Sequence, residues 1–168
     1  MTKHKRHEKI YLPDQLNLIV SMGEILFDEM TETFRIQRGI DDRIRIGMHI
    51  LLSEPDMPDN FVESPIYLPT DSDKALVNKQ VELTKYLPTH YTDESICLMI
   101  NCCGQKIRVS IAGLRAAENL VIATIVFSRV TRLSINYVIR QIEANGCKIP
   151  KEIRDENSYL YRILESYQ

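Results

Sequence analysis

The chain has 168 residues, of which 44% are apolar and 26% charged, with a formal net charge of −2. This composition is typical of an ordinary globular protein with one domain or two very small ones, and it excludes disorder over most of the length. The longest apolar run, residues 120–127, is interrupted by Thr124 and is far shorter than the ~20 residues of a membrane-spanning helix. The charged start does not resemble a signal peptide, and the four cysteines are typical of reduced thiols. We therefore expect a cytoplasmic protein that has no membrane contact.

The charges are unevenly distributed along the chain. Residues 1–9 hold four Lys and Arg against one Glu, a balance of +3. Residues 41–100 hold five basic and eleven acidic side chains, a balance of −6, whereas residues 104–154 hold nine basic residues and three Glu, a balance of +6. Such asymmetry is typical of a protein with a surface that faces a polyanion. The alternative is that the acidic middle and the basic ends pair with each other in the fold.

The first half of the chain begins with a helical pattern. Apolar residues at every third or fourth position predict a helix over about residues 14–30 or longer, which Gly39 would end. Residues 41–53 alternate like a strand but also fit a helix, and we favour the helix. Residues 54–65 are rich in proline and acidic side chains, which predicts a loop and the best internal boundary of the chain.

The second half combines a hairpin pattern with further helices. Two β-capable runs within residues 95–111 flank Cys103-Gly104-Gln105, which predicts a β-hairpin. Residues 114–130 are almost all apolar and predict a helix buried on every side, although the β-branched residues in it leave a strand possible. Ser134 can cap a further helix that runs to Asn145, and a last amphipathic segment begins at Pro150.

These elements together predict a mainly α fold with a small β-hairpin (α+β), arranged as a compact helical domain. The expected organisation is an N-terminal basic arm and helical segment over residues 1–53, an acidic loop over 54–65 and a helical domain over 66–168. A single domain throughout is the alternative. Because the 114–130 segment is too apolar for so small a core, we also expect a homodimer with this segment as core or interface.

Known catalytic signatures are absent from the sequence. The chain has no glycine-rich phosphate loop, no Gly-x-Ser-x-Gly and no His-Glu-x-x-His. The spacing of the metal-binding residue types matches no zinc motif, so we expect reduced thiols, no metal and no cofactor; these residues are His90, Cys97, Cys102, Cys103 and Cys147. A nucleophilic cysteine with His90 or His49 as base is conceivable, but the sequence predicts a protein that is not an enzyme.

Residues 124–143, TIVFSRVTRLSINYVIRQIE, resemble a helix-turn-helix DNA-binding unit. Ser128 supplies the small residue at which the two helices of such a unit touch. Leu133 supplies the apolar residue after the turn, and Val138 supplies the core anchor of the second helix.

The resemblance implies which side chains contact DNA, and it has two departures. It implies that Ser134, Asn136 and Arg140 face the major groove and that Arg129 and Arg132 lie near phosphates. Arg132 occupies a turn position that prefers glycine, and Gln141 stands where an apolar residue is usual.

The N-terminus shows a fainter resemblance, over about residues 5–38, to the ribbon-helix-helix family. A short segment ends in Leu12-Pro13, as the family's strand does, and Thr31 stands where a second helix would start. The resemblance implies that one side of this strand faces DNA with His7, Lys9 and Tyr11. Glu8 at an intended core position and the lack of a glycine before the second helix depart from the pattern.

The function that these features favour is a small DNA-binding protein, acting as a dimer in transcription regulation or as an accessory factor. The alternative is a protein–protein adaptor or inhibitor that binds no nucleic acid and uses the acidic stretch 54–73 to bind a protein partner. An enzyme is a third class, for which the sequence offers only loose histidines and cysteines.

Overall fold

The computed structural model describes residues 8–38, 47–68, 89–92 and 95–168, together with positions 71, 74, 75, 78 and 82. Within these residues the chain forms a five-stranded antiparallel sheet and five α-helices of known bounds, and positions 71, 74, 75, 78 and 82 are also helical. The prediction of a mainly α fold with a small hairpin is therefore wrong, and the protein has a sheet-rich α+β fold.

Three of the helices predicted from the sequence are present in the structure. Their bounds are α1 (Leu16–Arg38), α2 (Ala116–Thr131), α3 (Ile135–Ala144), α4 (Lys151–Arg154) and α5 (Tyr159–Ser166), with a short 3-10 helix, Leu12–Gln15, before α1. The helix predicted over residues 14–30 is confirmed and extends to Arg38, while Gly39, its expected end, lies outside the described residues. α2 and α3 confirm the two helices predicted in the second half.

The strands form one sheet in the order β2-β1-β5-β4-β3. Their bounds are β1 (Met48–Glu54), β2 (Met57–Ile66), β3 (His90–Tyr91), β4 (Ser95–Cys102) and β5 (Gln105–Ala112). β4 and β5 confirm the predicted hairpin. Its turn places both Cys103 (φ 53°) and Gly104 (φ 88°) at positive φ, as a type I′ turn requires.

β2 replaces the loop predicted over residues 54–65, so that prediction is wrong. The inward-facing positions of β2 include the polar Asn60 and Ser64 beside Val62 and Ile66, which hides the apolar alternation of a strand. Proline also argued for a loop, but β2 lies at the edge of the sheet, where a missing N–H donor is tolerated.

β1 likewise replaces the helix favoured for residues 41–53 over Met48–Glu54, whereas residues 41–46 lie outside the described part. The strand lies between β2 and β5 and is buried on both faces, so its sequence, MHILLSE, has apolar residues on both sides and lacks a strict alternation of apolar and polar residues. β1 also joins the predicted segment 1–53 to the predicted domain 66–168 through its pairing with β5. The division into domains stays a prediction.

The core lies between the sheet and the two long helices. α1 packs over β1 and β2, and α2 packs over β4 and β5. Of the 16 residues of α2, 15 are buried within the chain. The apolar segment 114–130 is therefore used as core, and its composition gives no separate reason for a dimer. The homodimer stays a prediction.

Candidate nucleic-acid interface

α2 and α3 are joined by residues 132–134 and cross with a bend of 116°. Two helices at about 90–120° with a turn of three or four residues are the geometry of a helix-turn-helix. The Ser128 hydroxyl is buried at the helix contact and donates to the Leu133 carbonyl oxygen at 2.6 Å. Val138 is fully buried in the core. The three residues that carried the resemblance thus hold the helix pair together.

Arg132 is the residue at which the chain turns. Its backbone is left-handed (φ 60°, ψ 21°), a conformation that favours glycine at the end of a helix. The side chain is exposed to solvent. An arginine kept in this conformation is the kind of strained residue that motivates a functional hypothesis.

The predicted DNA-contacting residues differ in whether their side chains already bond to other groups of the protein. Asn136 and Arg140 are exposed on the outer side of α3. The Ser134 hydroxyl accepts a hydrogen bond from the Tyr137 N–H at 3.2 Å, so its first role is to cap α3. Arg129 donates to the carbonyl oxygen of Tyr167 at 3.0 Å and lies 5.7 Å from the centre of that ring.

Three adjoining grooves connect these residues. The arm groove (about 630 Å³) includes Lys9 and Arg132 among its lining residues. The turn groove (about 450 Å³) contains Arg129, Arg132, Ser134 and Asn136, and the helix groove (about 470 Å³) contains Asn136 and Arg140. Because Arg132 and Asn136 are each shared by two grooves, the structure brings all six predicted residues onto one continuous surface. We call this surface the Lys9–Arg140 band, consisting of Lys9, Arg129, Arg132, Ser134, Asn136 and Arg140.

Acidic side chains also lie beside the band, and several are paired. Glu143 forms an ion pair with Arg154, and the Glu54 carboxylate lies 3.4 Å from the Lys9 ammonium nitrogen. Among the residues that the structure describes, Arg132 and Arg140 have no ion-pair partner. These two guanidinium groups are therefore available to an external anion.

Three polar side chains on α3 and around the N-terminal segment are not singled out by the sequence pattern. Tyr137 is 43% exposed beside Asn136, and its position three residues before Arg140 places the two on neighbouring surface of one helix. Asn60 and Gln105 are buried and hold the backbone of the N-terminal segment. No local signal identifies them, because their partners lie 48 to 95 residues away in the chain.

The N-terminal segment does not follow the ribbon-helix-helix pattern. Residues 8–11 form no strand, and His7 lies outside the described residues. α1 runs without a break through Thr31, where that pattern places the start of a second helix. The ribbon resemblance is therefore wrong, although Lys9 still lies on the band.

Cys97, which the sheet places next to a histidine, is not an accessible nucleophile. Cys97 lies opposite His90 on β3 and Ser110 on β5, but it is fully buried. Burial raises the pKa of the Cys97 thiol, which favours the protonated form over the nucleophilic thiolate. Within the described residues, no three His, Cys, Asp or Glu side chains meet in a way that could hold a metal ion.

No single helix among the described residues is long and apolar enough to cross a membrane. α2 and α3 have the necessary length and apolar character only when they are taken together, across their 116° bend.

The chain matches no protein-family model, no curated protein and no solved structure.

Proposed function

We propose that this protein binds duplex DNA with the α2–α3 pair and places α3 in the major groove. The observation that carries the proposal is the Lys9–Arg140 band, which joins the outer side chains of α3 to the cations at its turn. A polyanion laid along this band meets Arg132 and Arg140, neither of which is neutralised by a described residue. The +6 balance of residues 104–154 supports the same partner.

The exposed side of α3 offers side chains that suit base recognition. An α-helix with its side chains is about 10–12 Å wide and fits a major groove of about 12 Å. Arg140 can donate two hydrogen bonds to a guanine edge, and Asn136 can pair with an adenine edge. Arg132 and Lys9 both line the arm groove and would contact phosphates, which would fix the orientation of the protein on the duplex.

The proposal includes a symmetric homodimer, because one helix of ten residues reads only a few base pairs. Two copies of α3 related by a twofold axis would enter major grooves about 34 Å apart. Transcription regulation in the cytoplasm is the role that fits this arrangement. Light scattering tests the dimer separately, since a mass of one chain, 19.5 kDa, at micromolar concentration contradicts it.

Fluorescence anisotropy with a labelled random duplex, measured between about 50 and 200 mM salt, tests DNA binding. We expect tight binding at low salt that weakens steeply as salt rises. Arg132→Ala is expected to reduce the slope of log K against log salt by about one. Arg140→Ala is expected to weaken binding to a selected site by ~1–3 kcal/mol and to relax the preference at one base pair.

Lys151→Ala is the matched control, because Lys151 is exposed on α4 and lines none of the three grooves. Its affinity and salt slope should equal those of the wild type. Failure of the folded wild-type protein to bind any duplex at low salt contradicts the proposal. An equal loss in the Lys151→Ala and Arg132→Ala variants contradicts the assignment of the band.

A protein-binding function is the second candidate, and the outer side of β2 favours it. Met57 (48% exposed) and Phe61 (47% exposed) lie on the solvent side of this edge strand beside the acidic Asp59 and Glu63. An exposed strand edge with apolar and acidic side chains suits an extended basic peptide, which could add a strand to the sheet.

Selection from a displayed peptide library tests this second candidate. We expect enrichment of basic peptides with β-branched residues that bind the wild type and lose binding to a Phe61→Ser variant. Peptides that bind both proteins equally, or no enrichment at all, would contradict a partner site on β2.

A further inference from the structure

The β4–β5 hairpin carries two neighbouring free cysteines at its turn. Cys102 ends β4 and pairs with Gln105 across the hairpin, and Cys103 follows it at positive φ. Cys103 is exposed and Cys102 is 7% exposed. A hydrogen bond joins the two side chains, and both line the arm groove. The two thiols therefore lie together at one surface, and we call Cys102 and Cys103 the thiol pair.

The turn that carries the thiol pair is held on both sides. The Asn101 side chain accepts a hydrogen bond from the Gly104 N–H at 2.8 Å, and Gln141 binds the backbone of Asn101. After the turn, Gln105 binds both polar backbone groups of Ile10 at 2.8 Å. The thiols are thus fixed in position before a ligand arrives, which lowers the entropy that binding costs.

The thiol pair is unsuited to forming a disulfide. The peptide bond between the two cysteines is trans, so their Cα atoms lie about 3.8 Å apart, whereas disulfides usually need about 4.4–6.8 Å. Burial raises the pKa of the Cys102 thiol, and the neighbouring Cys103 raises that pKa further. Because oxidation proceeds through the thiolate, both features favour a pair that stays as two thiols.

The surroundings of the thiol pair select the kind of ligand. Among the described residues, no atom beyond the chain neighbours of Gly104 lies within 4 Å of the place where its Cβ would be. A ligand held by both sulfur atoms therefore has room for a further substituent. Two sulfur atoms in hydrogen-bond contact cannot lie on opposite sides of a linear ion. They can occupy neighbouring positions on a pyramidal centre such as trivalent arsenic, which is soft and prefers sulfur.

We propose that the thiol pair is a binding site for compounds of trivalent arsenic. With phenylarsine oxide, two As–S bonds replace the bonds from arsenic to oxygen. Both thiol protons pass to that oxygen, which leaves as one water molecule. Arsenic stays trivalent, so the step needs no oxidant and no reductant. This site would be present whether or not the protein binds DNA.

Intact-mass spectrometry of the folded protein with one equivalent of phenylarsine oxide tests the site. Excess mercaptoethanol is included, because a monothiol displaces arsenic from a single cysteine but competes poorly with two sulfur atoms on one fixed turn. We expect one arsenical per wild-type chain and its release by the dithiol dimercaptopropanol. A folded wild-type protein that carries no arsenical would overturn the proposal.

Cys103→Ser removes one thiol of the pair at an exposed position, where the core is not disturbed. We expect the modified fraction to fall at least about tenfold in mercaptoethanol. Cys147→Ser is the matched control, because Cys147 is a free cysteine whose sulfur lies 3.9 Å from the Lys148 carbonyl oxygen. It should bind the arsenical as the wild type does, and Cys147→Ala replaces it if it fails to fold. A Cys103→Ser protein that keeps the arsenical, or an equal loss in the folded control, would overturn the proposal.

A second measurement tests whether the fixed turn contributes to binding. Asn101→Ala removes the acceptor for the Gly104 N–H but keeps both thiols. We expect the mercaptoethanol concentration that displaces half of the arsenical to fall at least about twofold, because a looser turn must be ordered on binding. An unchanged concentration would overturn the role of the turn in the site.

Discussion

The side-chain amide of Gln141 pairs with both polar backbone groups of Asn101. Gln141 Oε1 accepts from the Asn101 N–H at 2.7 Å, and Nε2 donates to the Asn101 carbonyl at 2.8 Å. Asn145 adds a second contact by donating to the Met99 carbonyl at 2.6 Å. α3 thus covers an edge of β4 that would otherwise present unpaired groups. This pairing explains why a glutamine stands where a helix-turn-helix usually has an apolar residue.

The first prediction concerns this pairing. Gln141→Leu restores the apolar residue of the helix-turn-helix pattern but removes both hydrogen bonds. We expect it to lower the free energy of unfolding by ~1–2 kcal/mol, since each bond contributes about 0.5–1.5 kcal/mol. Urea unfolding followed by circular dichroism measures the effect.

Gln141→Glu is the control, because it keeps an acceptor for the Asn101 N–H and loses the donor to the carbonyl. Its loss of stability should lie between those of the wild type and Gln141→Leu. A Gln141→Leu protein as stable as the wild type would show that the pairing contributes nothing to the fold.

The elements that could be predicted are those whose pattern is local. α1 and α3 each show one apolar face, and the Cys103-Gly104 turn needs only the residues beside it. β2 could not be predicted in this way. Its inward-facing Asn60 is polar because it binds Ile10 and Leu12, which lie about 50 residues earlier in the chain.

The same limit applies to the candidate site. The exposed positions of α3 follow from helical periodicity, so Asn136 and Arg140 could be predicted. The contact between Gln105 and Ile10 depends on partners that only the folded sheet brings together. Gln105 and Gln141 share one arrangement, in which a side-chain amide pairs with both backbone groups of one residue.

The second prediction concerns the left-handed turn. Arg132→Gly removes a side chain from a conformation that costs most residues about 1–2 kcal/mol. The greater freedom of glycine in the unfolded chain offsets roughly 0.5–1 kcal/mol of this gain in stability. We expect a gain of stability of up to about 1 kcal/mol together with weaker DNA binding. Thermal unfolding and anisotropy on the same preparation measure the two effects.

Arg132→Asn serves as the control for charge, because asparagine tolerates the left-handed conformation but carries no cation. It should lose DNA binding as the glycine variant does, with a smaller change in stability. Destabilisation by Arg132→Gly would contradict the strain at this turn.

The third prediction is a pH dependence that arises from His49. Its side chain is 3% exposed, and Nε2 lies 3.4 Å from a Glu63 carboxylate oxygen. Burial lowers the pKa of His49 below 6.5, and the nearby Glu63 and Glu82 offset this only in part. Below about pH 6.5, the His49 imidazole is therefore protonated more readily in the unfolded chain than in the folded protein.

The free energy of unfolding should accordingly be fully retained above about pH 6.5 and fall as the pH drops below it. His49→Gln, which cannot titrate, should flatten this part of the profile. Urea unfolding between about pH 7.5 and 5.5 compares the two proteins. Parallel profiles for wild type and His49→Gln would rule out His49 as the source.

The last prediction concerns the buried contact between α2 and α5. Glu118 is fully buried near the start of α2, where its carboxylate accepts from the Tyr159 hydroxyl at 3.0 Å and from the Arg115 N–H at 3.2 Å. Burial, together with the Glu118 charge, raises the pKa of Tyr159 to about 12. Tyr159→Phe leaves the carboxylate buried with one donor fewer, which should cost about 1–3 kcal/mol. In a Glu118→Gln background the same change should cost less, because an amide carries no charge to satisfy.

The raised pKa also gives Tyr159→Phe a distinct pH profile. The unfolded chain loses the tyrosine proton near pH 10, whereas the folded protein keeps it until about pH 12. The contribution of Tyr159 to stability is therefore complete below pH 10 and is lost as the pH rises from 10 to 12. We expect the stability difference between wild type and Tyr159→Phe to shrink over this range, measured by urea unfolding at about pH 8 and about pH 11. A stability difference that stays constant would mean that burial beside Glu118 does not raise the pKa of Tyr159.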